Sequence, residues 1–202
     1  MEIFESSDGP VKICAPMVRY SKLAFRNLVR RYGCDVVYTP MIMADSFFMS
    51  QRARDVEFTT NAQDKPLIVQ LAANNSHYFS GCAELVSGHC SGVDLNCGCP
   101  QRWALIVQIL CSDFIGCRWA AKEGIGACLI NNPQFICETV KQTRAKVSDP
   151  RFSVSVKIRI HDDISRTVDL CRQMEAAGAS YLTVHGRTKD QRGEPVNLEA
   201  IR

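Results

Sequence analysis

Apolar positions along the chain alternate between two patterns. Short, nearly continuous apolar runs are separated by stretches in which apolar residues return every three or four positions. The runs Lys12–Met17, Asp35–Met41, Leu67–Leu71, Gly92–Asn96, Ser153–Arg159 and Tyr181–His185 read as strands buried on both faces. Between them the period lengthens to that of a helix. Ser21 is placed to cap a helix with Phe25, Leu28, Val29 and Tyr32 on one face, closed by Gly33. Further helices are expected around Ala44 to Arg52 and from Ser76 to Val86. Another is expected on the face Ile136, Val140, Thr143 and Val147, and a last one on Leu170, Cys171, Met174 and Ala177, ended by Gly178.

Strand and helix thus alternate six times, which is the signature of a parallel sheet covered by helices. No Gly-rich dinucleotide fingerprint follows the first strand, so a Rossmann fold is disfavoured. Polar or special residues cluster at the carboxyl ends of strands: Pro16 and Met17, Gln70, Asn96 and Cys99, Lys157, then His185 and Arg187. Convergence from many strand ends onto one face describes the active-site end of a TIM (β/α)8 barrel. A full barrel takes two more units, and the chain ends at Arg202 as a sixth helix would begin near Asn197. The expectation is one partial barrel domain over 1–202, with about six βα units.

Composition narrows this only slightly. Charged residues are 22% and the net charge is +3, which permits a nucleic-acid partner without arguing for one. The chain has 11 cysteines, and Met1-Glu-Ile-Phe-Glu-Ser-Ser-Asp8 is polar and acidic rather than a secretory leader. Reduced thiols in a cytosolic or nuclear compartment are therefore expected. No apolar run reaches the roughly 18 residues of a membrane span.

Candidate chemistry concentrates at Asp94-Leu-Asn-Cys-Gly-Cys-Pro100. It places Cys99 in a tight turn just past a strand end, where a thiol can be a proton donor, a nucleophile or inert. Cys97 and Cys99 without a second ligand pair make poor zinc spacing, so no metal is expected. Taken singly, Lys157 reads as a solvated strand-end lysine. His77, His89 and His161 read as surface or loop residues, and Arg26, Arg30 and Arg31 as a solvated helix face rather than an RNA contact.

Six motifs together change that reading. They are Ala15-Pro-Met-Val18, Val69-Gln-Leu71, Asn96-Cys-Gly-Cys-Pro100, Gly124-Ile-Gly-Ala-Cys-Leu129, Val156-Lys-Ile-Arg159 and Val184-His-Gly-Arg-Thr188. In this order the chain resembles the tRNA-dihydrouridine synthases, flavin enzymes that reduce uridine in tRNA. The wording Asn-Cys-Gly-Cys-Pro-Gln-Arg-Trp resembles the eukaryotic branch acting at positions 20a and 20b of the D-loop. The resemblance implies FMN as cofactor, NADPH or NADH as electron donor and tRNA as partner. It also implies that hydride passes from reduced flavin to C6 of uracil and that Cys99 is the general acid supplying the proton to C5. An ordinary thiol is mostly protonated at neutral pH, as that role requires. By the same resemblance Pro16, Met17 and Val18 line the flavin, Gln70 bonds its polar edge, Lys157 sits at its N1/O2 side and His185 helps hold it. Asn96 would bond the uracil edge, and Arg187 would face substrate or phosphate.

One segment interrupts the family pattern. Arg102-Trp103 recurs as Arg118-Trp119, and removing 104–119 leaves a continuous Gly-rich loop. The segment reads as an in-frame splice insertion, with an extra helix as the plainer alternative. With barrel strands seven and eight and the helical tRNA-binding domain also missing from the pattern, the 202-residue chain is expected to hold flavin poorly. Two other readings stay open: a related FMN barrel acting on a free pyrimidine, and a non-catalytic truncated product.

Overall fold

The computed structural model describes residues 9–99 and 124–202. Its strands are β1 (Ile13–Cys14), β2 (Val36–Tyr38), β3 (Ile42–Met43), β4 (Leu67–Ala72), β5 (Gly92–Cys97), β6 (Ser153–Arg159) and β7 (Tyr181–His185). Its helices are α1 (Leu23–Arg31), α2 (Ala44–Met49), α3 (Gln51–Glu57), α4 (Ser76–Val86), α5 (Pro133–Lys146) and α6 (Ile164–Ala176). The sheet order is β1-β2-β4-β5-β6-β7, with β3 pairing β4, and every strand pairing among the described residues is parallel. This α/β arrangement is part of a (β/α)8 barrel.

Alternation within the strands sets the two sides of the sheet. Leu67, Val69 and Leu71 of β4, Val93, Leu95 and Cys97 of β5, and Val154, Val156 and Ile158 of β6 join one apolar core. Phe79, Cys82, Ala83 and Val86 of α4, Ile136 and Val140 of α5, and Leu170 and Met174 of α6 pack into the same core. The intervening positions are largely polar: Gln70, Asp94, Asn96, Ser153, Ser155, Lys157 and Arg159. The central strands are therefore not apolar on both faces, as their runs first read; they carry a polar inner face.

That inner face is strongly curved. The hydroxyls of Tyr38 on β2 and Tyr181 on β7 meet at 2.8 Å although β4, β5 and β6 lie between their strands. In a flat sheet four strand spacings would hold those backbones about 19 Å apart, with side chains standing parallel. The sheet must be rolled for the two rings to meet.

Further expectations are corrected. The first strand is only Ile13–Cys14, so Pro16, Met17 and Val18 lie in the loop after it. Ser21 does not cap α1; its hydroxyl bonds Met17 N and O, and Lys22 takes the cap position without a side-chain bond. The face of α1 also differs, because Leu28 is 48% and Tyr32 82% exposed while Arg26 is buried. Arg26 is no solvated residue: it donates to Asp64 Oδ2, Ser21 O and Thr59 O, and α1 turns toward that anchor. The helix expected from 44 to 52 is broken at Ser50, which accepts from Ala53 N and starts α3. His161 is buried between Thr167 Oγ1 and Ile130 O rather than at the surface. Near Asn197 only a short 3-10 turn, Glu199–Ile201, forms. The segment 104–119 lies outside the described residues.

Candidate functional site

The site grows from the end of β5. Asn96 is the last inward residue of that strand, and its side-chain Oδ1 accepts from Gly98 N at 3.2 Å and Cys99 N at 3.0 Å. This Asx turn folds the backbone over the strand end and fixes where the Cys99 side chain leaves it. The returning segment seals the turn from the other side, as Ala127 N donates to Cys99 O at 3.1 Å. Positive φ at Gly124 (67°) and Gly126 (71°) lets that segment double back, a conformation in which a side chain would be strained.

Strand register aligns the neighbours. Asn96 lies opposite Lys157 of β6, and Lys157 opposite Thr183 of β7. One step further out, Arg159 lies opposite His185. Arg159 donates to Gly98 O, Thr188 O and Gln191 O, which ties the Cys99 turn to the loop after β7. Arg187, in that loop, donates to Glu194 O at 2.6 Å.

The electrostatics are one-sided. Burial pushes the Lys157 amine below its usual range, opposed by the Asp94 carboxylate. Burial, then Arg159, Lys157 and Arg187, depress His185 to about 4, so it is neutral at physiological pH. Among the described residues the Lys157 ammonium makes neither a side-chain hydrogen bond nor an ion pair. A partly desolvated ammonium whose only nearby negative charge is the buried Asp94 carboxylate, and which makes no hydrogen bond of its own, is an open position for an anionic ligand atom. By that test the residues fit the acidic isoalloxazine edge of a flavin.

Beneath this face lies a group the sequence reading missed. Asp94, fully buried, accepts from Gln70 Nε2 at 2.9 Å and from Ser155 Oγ at 2.7 Å. Burial raises its carboxyl to about 6, against those two bonds and the charge of Lys157. Gln70 Oε1 in turn accepts from Asn96 Nδ2 at 2.9 Å. Gln70 is 1% exposed, so it forms part of the floor. Cys99, Asn96, Lys157, His185 and Arg187 are brought together at the barrel end. Pro16, Met17 and Val18 sit at the end of β1, where Met17 O closes a turn with Tyr20 N and Ser21 N. Asp94, Ser155 and Arg159 carried a signal in the sequence: polar residues at every second position of β5 and β6.

Known proteins resemble this chain in sequence and in fold. The family model described as Dihydrouridine synthase (Dus) matches residues 13–108 and 115–202. A tRNA-dihydrouridine(20a/20b) synthase-like NAD(P)+ protein of Mus musculus is 54% identical over 202 residues, covering 100% of this chain and 57% of that protein. The tRNA-dihydrouridine(20a/20b) synthase of Saccharomyces cerevisiae is 40% identical over 194 residues, covering 96% of this chain and 48% of the relative. The chain thus spans about half the length of the curated relatives it matches. Among solved structures, a truncated 3-deoxy-D-arabino-heptulosonate 7-phosphate synthase from Thermotoga maritima superposes with a TM-score of 0.51 at 9% identity. That alignment covers 96% of this chain and 59% of the other, and it bears on the fold alone.

Proposed function

Because the chain belongs to the dihydrouridine synthase family, we propose that it serves the reduction of uridine to 5,6-dihydrouridine in the D-loop of tRNA, at positions 20a and 20b. FMN is the cofactor in this reading and NADPH or NADH the electron donor. The observation that carries it is the Cys99 turn, set by Asn96 beside the largely buried ammonium of Lys157.

A flavin held by Pro16, Met17, Val18, Lys157 and His185 would supply the reducing chemistry at C6 of uracil. The chain's own residues do the rest. The Cys99 thiol gives its proton to C5 from a turn whose backbone is held on both sides, so its reach is set before substrate arrives. Lys157 offers a fixed positive charge where negative charge accumulates. Asn96 spends one amide hydrogen on Gln70 and keeps the other for a carbonyl edge. Neutral His185 donates or accepts without adding to the positive charge around it. Arg187 and Arg159 give the rim a charge suited to phosphate, and the target uridine leaves its stack to enter.

The test reconstitutes the full chain with FMN and NADPH or NADH and supplies unmodified tRNA, free uridine and an orotate-type substrate in parallel. Dihydrouridine in tRNA alone is expected. Cys99→Ala should lower its yield by roughly 10²–10⁴ while FMN, supplied in excess, is still reduced by NADPH at the wild-type rate. Undiminished yield in Cys99→Ala would remove the thiol from the mechanism. Reduction of the free pyrimidines instead of tRNA would reassign the substrate, and absence of any product from the wild-type chain would overturn the reading.

A further inference from the structure

We propose that Asp94 is a positioning residue for the Cys99 turn, acting through the side-chain amides of Gln70 and Asn96. The proposal rests on the function given above, since it concerns what holds that function's proton donor. Its physical basis is the direction of each hydrogen bond. At one end, the Asp94 carboxylate accepts from both Gln70 Nε2 and Ser155 Oγ. At the other end stand two backbone N–H groups, Gly98 and Cys99, which can only donate. Between them lie two amides, each with one donating and one accepting side. Gln70 turns its NH2 to Asp94 and therefore its oxygen to Asn96. Asn96 turns its NH2 to Gln70 and therefore its oxygen to the turn. Only one orientation of the two amides satisfies all four contacts.

Removing the acceptor at Asp94 leaves the Asn96 NH2 alone to hold Gln70 in that orientation, with the Gln70 NH2 unpartnered. A flipped Gln70 would confront the Asn96 NH2 with another NH2, and the Asn96 oxygen would no longer be held at the turn. The residues are buried: Asp94 is 0%, Gln70 1% and Asn96 7% exposed. Water is therefore a poor substitute for a lost partner. The charge on Asp94 is not what the chain of amides uses. An asparagine there can still accept from Gln70 through its oxygen while its NH2 faces the rotatable Ser155 hydroxyl.

Thiol alkylation in the full chain tests this without flavin or tRNA. Iodoacetamide labelling is followed at each cysteine by peptide mass spectrometry under native conditions. Cys97, 0% exposed and turned to the opposite face of the same strand, reports any general loosening. The variants are Asp94→Asn, Asp94→Leu and Gln70→Met. In Gln70→Met and Asp94→Leu the Cys99 labelling rate is expected to change by about 5- to 10-fold, the equivalent of about one lost hydrogen bond, with Cys97 still protected. Asp94→Asn should restore the wild-type Cys99 rate.

Gln70→Met alone decides the matter if Asp94→Leu does not fold. An unchanged Cys99 rate in Gln70→Met overturns the proposal. So does joint labelling of Cys97 and Cys99 in that variant, which would make the group a core support only. An Asp94→Asn protein that labels like Gln70→Met overturns it too, by showing that charge rather than bond direction is used. A wild-type chain that makes no dihydrouridine would sink the functional reading while these labelling rates still decide the positioning role.

Discussion

Asp94 and His185 titrate in opposite senses, and their neighbours explain why. Asp94 faces Gln70, Ser155 and Lys157, and burial raises its carboxyl from 3.8 to about 6. The native state then binds more protons than the unfolded chain between those values, so this residue's contribution to stability falls as pH rises from about 4 to 6. His185 faces Arg159, Lys157 and Arg187 and drops from 6.5 to about 4, with burial the largest cause. Here the unfolded chain binds more protons, so stability falls as pH is lowered from about 6.5 to 4. The two slopes oppose one another in the wild-type chain. Asp94→Asn should therefore expose the His185 slope, giving a steeper loss of urea midpoint between pH 6.5 and 4. His185→Gln should do the reverse and leave stability falling between pH 4 and 6. Parallel midpoints across that range in all three proteins would contradict both assignments.

At the scale of elements, the contact between β5 and β6 carries the site, and Gly92 permits it. A Cβ at Gly92 would lie 2.4 Å from Ser153 O and 2.6 Å from Ser153 Cβ. Gly92→Ala must push the strands apart where their register begins, at an expected cost of about 1–3 kcal/mol. Gly88→Ala, with nothing within 4 Å, should stay within about 0.5 kcal/mol. Denaturant midpoints of the two variants check the contrast. These strands also show how far the sequence could be read. The bounds of β6, β7 and α4 follow directly from their runs and their Gly and Asn punctuation. The inner face does not, because Asp94, Ser155 and Lys157 look like blemishes in an apolar run until alternation sorts them onto one side. The face of α1 misled for a related reason. Leu28 and Tyr32 of its apolar stripe face out while Val29 packs against the core, and a buried arginine finds its carboxylate 38 residues away, a pairing with no local signature. Cys99 and Lys157 were legible because both stand at strand ends. Their coupling through Asn96 and Gln70 was not, since it depends on which way two amides turn.

Across the whole molecule, the N-terminal quarter is fastened by the Arg26–Asp64 pair, 2.7 Å apart and 1% and 0% exposed. Asp64→Ala would strand a buried guanidinium, and a loss of about 3–5 kcal/mol is expected in equilibrium unfolding. Arg26→Met with Asp64→Leu together should cost far less, which distinguishes a stranded charge from a lost attraction. The tyrosine pair that reveals the roll of the sheet acts at longer range still, since Tyr38 and Tyr181 are 143 residues apart in sequence. A contact spanning so much chain requires the largest loop closure, and it forms only when the intervening strands are already in place. It should therefore be absent from the rate-limiting barrier to folding. Tyr38→Phe is expected to leave the refolding rate unchanged and to speed unfolding by about fivefold, the kinetic equivalent of about 1 kcal/mol. In stopped-flow chevrons only the unfolding arm should move. The hydroxyl pair would then act as a latch that governs how long the rolled sheet lasts, with no part in how quickly it is made.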